Sequence, residues 1–154
     1  MDNRVFAGNG NDKVFGGVSA PGTAAANAQR DELYGGGGND KIYAQNPGQL
    51  EIDKSATPER WDYLVGGDDD DEIFGSNTID MIWGDHSPGM DAAVGPNPFD
   101  SDGDDILRGG GGPKDFMWGG GGDDKIYGGD GEDYIYGGEG NDKIFAGDTP
   151  AGTK

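Results

Sequence analysis

The chain has 154 residues, of which 32% are hydrophobic and 33 are glycine, so a conventional apolar core is not expected. Its 30 Asp and Glu stand against 11 Lys and Arg, a formal charge of −19, which argues against nucleic acid or an anionic membrane surface as a partner and favours cations. There is no cysteine, hence no disulfide framework and no thiolate metal site; no stretch approaches the ~18 apolar residues of a membrane span, and MDNRVFAGNG lacks the apolar run of a secretory signal, so a soluble chain exported by another signal is expected.

The chain opens partway through a phrase that then recurs. Asn3, Val5 and Phe6 fill the sixth, eighth and ninth places of a nine-residue unit, Gly-Gly-x-Gly-x-Asp-x-aliphatic-aromatic. Complete or nearly complete units follow at Ala7 (AGNGNDKVF), Gly35 (GGGGNDKIY), Gly66 (GGDDDDEIF), Gly75 (GSNTIDMIW), Gly109 (GGGGPKDFMW, one residue long), Gly119 (GGGGDDKIY), Gly128 (GGDGEDYIY) and Gly137 (GGEGNDKIF). Three more are interrupted but recover the same ending, RDELY at Arg30, WDYLV at Trp61 and DDILR at Asp104. The sixth place is thus Asp12, Asp31, Asp40, Asp62, Asp71, Asp80, Asp105, Asp115, Asp124, Asp133 and Asp142. Two residues after each stands an aliphatic: Val14, Leu33, Ile42, Leu64, Ile73, Ile82, Leu107, Met117, Ile126, Ile135 and Ile144. A disordered acidic linker would carry the charge without this phase lock.

The physics of such a unit is specific. Glycines supply the positive φ of a tight loop, a three-residue strand points only its middle side chain inward, and stacked turns share backbone hydrogen bonds at ~4.8 Å. Stacking also sets like-charged sixth-position carboxylates above one another, so the stack should not hold without a cation. Calcium suits the place, because it takes six to eight oxygens and accepts mixed carboxylates and carbonyls. Magnesium wants a tighter octahedron, and soft metals want Cys or His, of which there is only His86.

This grid resembles the repeats-in-toxin (RTX) nonapeptide family over nearly the whole chain. The resemblance implies an all-β fold, a right-handed parallel β-roll (β-solenoid), with residues 1–154 as one domain and two units per turn. It also implies that each calcium ion sits between two loops on the same edge, bound by both sixth-position aspartates and by carbonyls of the glycine-rich positions. Units alternate between edges, provided the insertions preserve parity. One edge then takes Asp12, Asp40, Asp71, Asp105, Asp124 and Asp142, with Gly8, Gly10, Gly35, Gly36, Gly37, Gly38, Gly66, Asp68, Gly103, Gly119, Gly120, Gly121, Gly122, Gly137 and Glu139 as loop ligands. About five ions are expected there. The other edge takes the loops before Asp31, Asp62, Asp80, Asp115 and Asp133. It is irregular, and one or two ions are expected near Asp115 and Asp133, with Gly128 and Asp130.

The outward seventh and ninth side chains divide in the same way. One face is mixed, with Lys13, Phe15, Lys41, Tyr43, Glu72, Phe74, Ile106, Arg108, Lys125, Tyr127, Lys143 and Phe145. The other, with Glu32, Tyr34, Tyr63, Val65, Met81, Trp83, Phe116, Trp118, Tyr134 and Tyr136, reads as an apolar aromatic strip that either meets a partner or is covered by the insertions. Those insertions, about 18–29, 45–60 and 86–101, are rich in Pro, Ser and Ala and read as loops, with one helical turn around Leu50 to Lys54. They serve binding or are structural decoration.

The remaining motifs are weak. Asp100, Asp102 and Asp104 lack the glycine and late glutamate of an EF-hand, GGGGPK lacks the ending of a phosphate loop, and His86 has no nucleophile partner in sequence. Catalysis is not expected. The leading function is a calcium-dependent structural module, extracellular or at the cell surface, of a larger secreted toxin, enzyme or adhesin. The family resemblance implies a C-terminal export signal, which TPAGTK does not resemble, arguing against a stand-alone toxin. The alternative is a self-assembling filament or surface layer, because the partial units at Asn3 and at Ala146 to Asp148 fall on one edge and two chains could complete a shared turn. An ice-binding role is disfavoured by the scattered threonines, and a carbohydrate-binding role for the aromatic strip has no support.

Overall fold

A computed structural model describes residues 3–17, 31–45, 61–76, 78–85 and 102–147. The insertions expected at 18–29 and 86–101, the one expected at 45–60 apart from Gln45, which continues the preceding strand, the turn around Leu50, and His86 lie outside the described residues.

The strands follow the nine-residue phrase. They are β1 (Asn3–Asn9), β2 (Lys13–Gly17), β3 (Asp31–Gly37), β4 (Lys41–Gln45), β5 (Trp61–Asp68), β6 (Glu72–Phe74), β7 (Ile79–Trp83), β8 (Ile106–Gly110), β9 (Phe116–Gly120), β10 (Lys125–Gly129), β11 (Tyr134–Gly138) and β12 (Lys143–Phe145). Most exceed the three residues expected, because the ladder carries on into the glycines that open the next unit: Gly110 pairs with Gly129, and Gly120 with Gly138. Odd strands form one sheet in the order β1-β3-β5-β7-β9-β11, and even strands the other, β12-β10-β8-β6-β4-β2. Every pairing within them is parallel. The insertions therefore preserve parity, and the chain is a parallel β-roll.

Register puts the eighth-position side chains into two facing columns. Val5, Leu33, Leu64, Ile82, Met117 and Ile135 align in the odd sheet. Val14, Ile42, Ile73, Leu107, Ile126 and Ile144 align in the even one. Between the sheets they form the core, in which Leu33, Ile42, Leu64, Ile73, Ile82, Leu107, Met117 and Ile126 are fully buried. Ala44, at a first loop position, joins them. Ile144 is instead 47% exposed, because no rung beyond β12 packs over it among the described residues.

Ninth-position rings, joined by Tyr63 from a seventh place, stack along both faces, so the aromatic strip partly covers itself. On the odd sheet Phe6 stacks on Tyr34 at 4.6 Å, Tyr63 lies against Trp83 at 4.5 Å, and Trp83 against Trp118 at 4.7 Å. The rings shield one another, so Tyr63 and Val65 are buried although they point away from the core. The even face has its own ladder, Phe15–Tyr43–Phe74, then Tyr127–Phe145. Arg108 fills the gap, its guanidinium 4.8 Å from the Phe74 ring and 5.3 Å from the Tyr127 ring while also pairing with Glu72. A cation on two ring faces is a favourable substitute for a third ring.

Candidate metal centre

The loops between strands bring the sixth-position aspartates into two columns, one on each edge. On the first edge the backbone N–H of each donates to Oδ1 of the Asp one turn later: Asp12 to Asp40 and Asp40 to Asp71 at 2.8 Å, Asp71 to Asp105 at 2.8 Å, Asp105 to Asp124 at 2.9 Å, and Asp124 to Asp142 at 3.1 Å. The second edge repeats the bond from Asp31 to Asp62 at 3.0 Å, Asp80 to Asp115 at 2.8 Å, and Asp115 to Asp133 at 3.0 Å. One carboxylate oxygen of each is thereby fixed by backbone.

The other oxygen decides the chemistry. Oδ2 of Asp40, Asp71, Asp105 and Asp124 on the first edge, and of Asp115 and Asp133 on the second, is buried with no hydrogen-bond partner. An unsatisfied buried carboxylate oxygen is costly, and six in two rows at equivalent loop positions need a common explanation. Burial is the largest cause that pushes Asp71 up to about 8, Asp105 to about 9, and Asp115 and Asp124 to about 7; neighbouring carboxylates add to it, and the donated N–H offsets part. Asp40 and Asp133 are raised for the same first reason. These groups resist ionisation unless a positive charge joins them.

The glycine positions make room for this. In the loop before Asp124, a Cβ on Gly119 would overlap Asp124 Oδ2 and lie 2.5 Å from the Gly137 carbonyl oxygen. Gly120 and Gly122 have φ of 129° and 91°, which only glycine adopts readily. Carboxylate and carbonyl oxygens thus approach the same space, the hard donor set that calcium takes and soft metals do not. Among the described residues no three His, Cys, Asp or Glu side chains converge on one point, so carbonyls must complete any ion's shell.

The other residues expected as ligands are placed less uniformly. Asp12 and Asp142 close the two ends of the first edge and are half-buried. Asp130 and Glu139 are exposed and lend their N–H groups to the carbonyls of Gly110 and Gly120. Asp68 ends β5. A second ladder, unforeseen from sequence, runs outside the first column through the fifth-position side chains: Asn39 N–H to Asn11 Oδ1 at 3.2 Å, Asp104 N–H to Asp70 Oδ1 at 3.0 Å, Asp123 N–H to Asp104 Oδ1 at 2.7 Å, and Asn141 N–H to Asp123 Oδ1 at 2.8 Å.

The loop before Asp105 differs from the contiguous DSDGDD read in sequence. Gly84 is its first residue, since a Cβ there would overlap Asp105 Oδ2, as at Gly119 with Asp124. Asp85 is its second, and the loop resumes at Asp102 and Gly103. Asp85, buried, accepts the Gly103 N–H at 3.2 Å and the Gly121 N–H at 2.6 Å. Its carboxylate joins the two flanks of the insertion and ties them to the next turn. The signal was available, a Gly-Asp pair directly after a strand ending in Trp83, but sixteen inserted residues hid its continuation.

The family model for the RTX calcium-binding nonapeptide repeat matches residues 2–20, 23–46, 59–85, 99–113 and 114–148. No curated protein and no solved structure matches the chain. With the nonapeptide phase, the two parallel sheets and the paired aspartate columns, the match identifies the chain as a member of the RTX calcium-binding nonapeptide repeat family, a calcium-binding β-roll module.

Proposed function

We propose that this chain is an extracellular structural module whose folding is completed by calcium. About five ions lie between successive loops of the first edge, from Asp12 to Asp142, and one or two near Asp115 and Asp133 on the second. The observation that carries the reading is the row of buried Oδ2 atoms without donors. A cation shared by two loops gives each of them a partner and cancels the repulsion along the column. Loop carbonyls and two monodentate carboxylates per site make a moderate-affinity centre, matched to millimolar calcium outside cells. The same supply, the acidic surface and the family's character as a structural repeat support an extracellular, non-catalytic role.

A titration tests this directly. With equilibrium dialysis and far-UV circular dichroism at neutral pH, calcium binding and parallel-sheet signal should rise together at millimolar calcium, while equal magnesium leaves the chain largely unfolded. Full sheet signal in excess chelator at that pH would refute the reading.

Head-to-tail association of copies is a second reading with one observation in its favour. The exposed large hydrophobics Phe6, Phe15, Tyr134, Tyr136, Ile144 and Phe145 all belong to β1, β2, β11 and β12, the outermost described rungs. Sedimentation at millimolar calcium should show mass growing with protein concentration and falling when Ile144→Lys is introduced. A monomer at every concentration rejects it.

A further inference from the structure

One loop is built differently from the others among the described residues. In the loop from Gly75 to Asp80, the second and fourth places hold Ser76 and Thr78 where the repeat has glycine. Asp80 is completely buried, and its N–H bonds Asp115 Oδ1 at 2.8 Å, as the column requires. Its own carboxylate, however, is satisfied from within the loop. The Ser76 N–H donates to Oδ2 at 2.5 Å, and the Ser76 hydroxyl donates to Oδ1 at 3.3 Å. Ser76 Oγ in turn accepts the Thr78 N–H at 3.1 Å and lies 2.8 Å from Thr78 Oγ1.

The proton inventory of this circuit closes. A hydroxyl has one proton and two lone pairs: Ser76 gives its proton to Asp80 and receives the amide and hydroxyl protons of Thr78. Neither Asp80 oxygen is among the buried atoms without a partner, in contrast to Asp115 and Asp133 on the same edge. A cation approaching Asp80 from this side meets hydrogens that already point at both oxygens, and the loop does not fit an ion.

We propose that Ser76 and Thr78 do for Asp80 what calcium does for the glycine loops, making Gly75–Asp80 a metal-free turn in the middle of the second edge. This rests on the calcium reading above and divides the edge into a hydroxyl-closed part and an ion-bearing part at Asp115 and Asp133. The same rung carries Trp83, stacked between Tyr63 and Trp118. Contacts independent of calcium are therefore gathered at one level of the roll, where calcium loss leaves most structure behind.

Equilibrium dialysis against millimolar calcium, counting ions per chain, tests the proposal with three proteins. The double variant Ser76→Gly with Thr78→Gly restores the repeat's loop and should bind at least one ion more than the original chain. Asp80→Asn should keep the original count, because no ion is lost with it. The proposal is overturned if the double variant folds and its count is unchanged, or if Asp80→Asn loses an ion. If the double variant does not fold at saturating calcium, Asp80→Asn alone decides. An original chain that binds no calcium overturns the functional reading and this inference together, a result distinct from either variant's.

Discussion

In excess chelator, the parallel-sheet signal should grow as pH falls from about 9 to about 5, opposite to the behaviour of the same chain in millimolar calcium. The sign follows from the raised carboxylates. Asp71 at about 8, Asp105 at about 9, and Asp115 and Asp124 at about 7 compare with ~3.9 for Asp in an unfolded chain. A group whose folded value is the higher one contributes stability fully below the unfolded value and loses it as pH rises through the folded value. Between those limits each costs up to about 1.4 kcal/mol per pH unit. Four such groups together exceed the stability of many small domains, so the calcium-free chain is expected to be unfolded at pH 8 and to gain structure on acidification. Calcium binds only the ionised carboxylates, and protons compete with it, so the loaded chain should lose stability over the same window. Circular dichroism against pH, with and without calcium, gives two curves of opposite slope; parallel curves would mean that the aspartate columns are not where calcium acts.

Replacing Asp105 with Ala should be the most damaging single substitution in the loaded roll. Its Oδ1 holds the Asp71 N–H, its Oδ2 is one of the unpartnered row, and it stands mid-column between Asp71 and Asp124. The change orphans a buried N–H and removes a carboxylate from two inter-loop sites, costing about 3 to 5 kcal/mol in thermal or denaturant melts with calcium present. Asp142→Ala, at the last rung, strips the Asp124 N–H of its acceptor but takes a carboxylate from one inter-loop site instead of two, and should cost less. In chelator at pH 8 the direction reverses for Asp105→Asn. The unfolded original chain gains free energy by ionising Asp105 and the unfolded variant does not, so the variant is the more structured of the two. Equal costs at Asp105 and Asp142 would contradict a column held together by shared ions.

Periodicity exposed the architecture because the repeat encodes it locally. Asp at the sixth place and an aliphatic at the eighth fix loop and inward residue within a few positions, and alternation then assigns Phe116 and Trp118 to one sheet and Lys125 and Tyr127 to the other, as the pairings have it. The unforeseen features all depend on partners a full turn away. The closure of the insertion by Asp85 requires Gly121, thirty-six residues on, and the burial of Tyr63 requires rings from both neighbouring turns. Ser76 is a different case. The irregularity of its edge is legible in the sequence, yet the hydroxyl circuit proposed in place of an ion depends on side-chain geometry that no spacing rule contains.

The two ladders of the first edge run in opposite senses. In the inner one the acceptor belongs to the later turn, as where Asp105 N–H meets Asp124, and in the outer one to the earlier turn, as where Asp123 N–H meets Asp104. Where both rows are present, as at Asp104–Asp105 and Asp123–Asp124, a turn on this side is thus gripped from ahead and from behind. Among the described residues the second edge has no matching outer row of side-chain acceptors, since its fifth places hold Trp61, Ile79, Lys114 and Glu132. The described turns are therefore stitched by two rows of side-chain bonds on one edge and by one on the other.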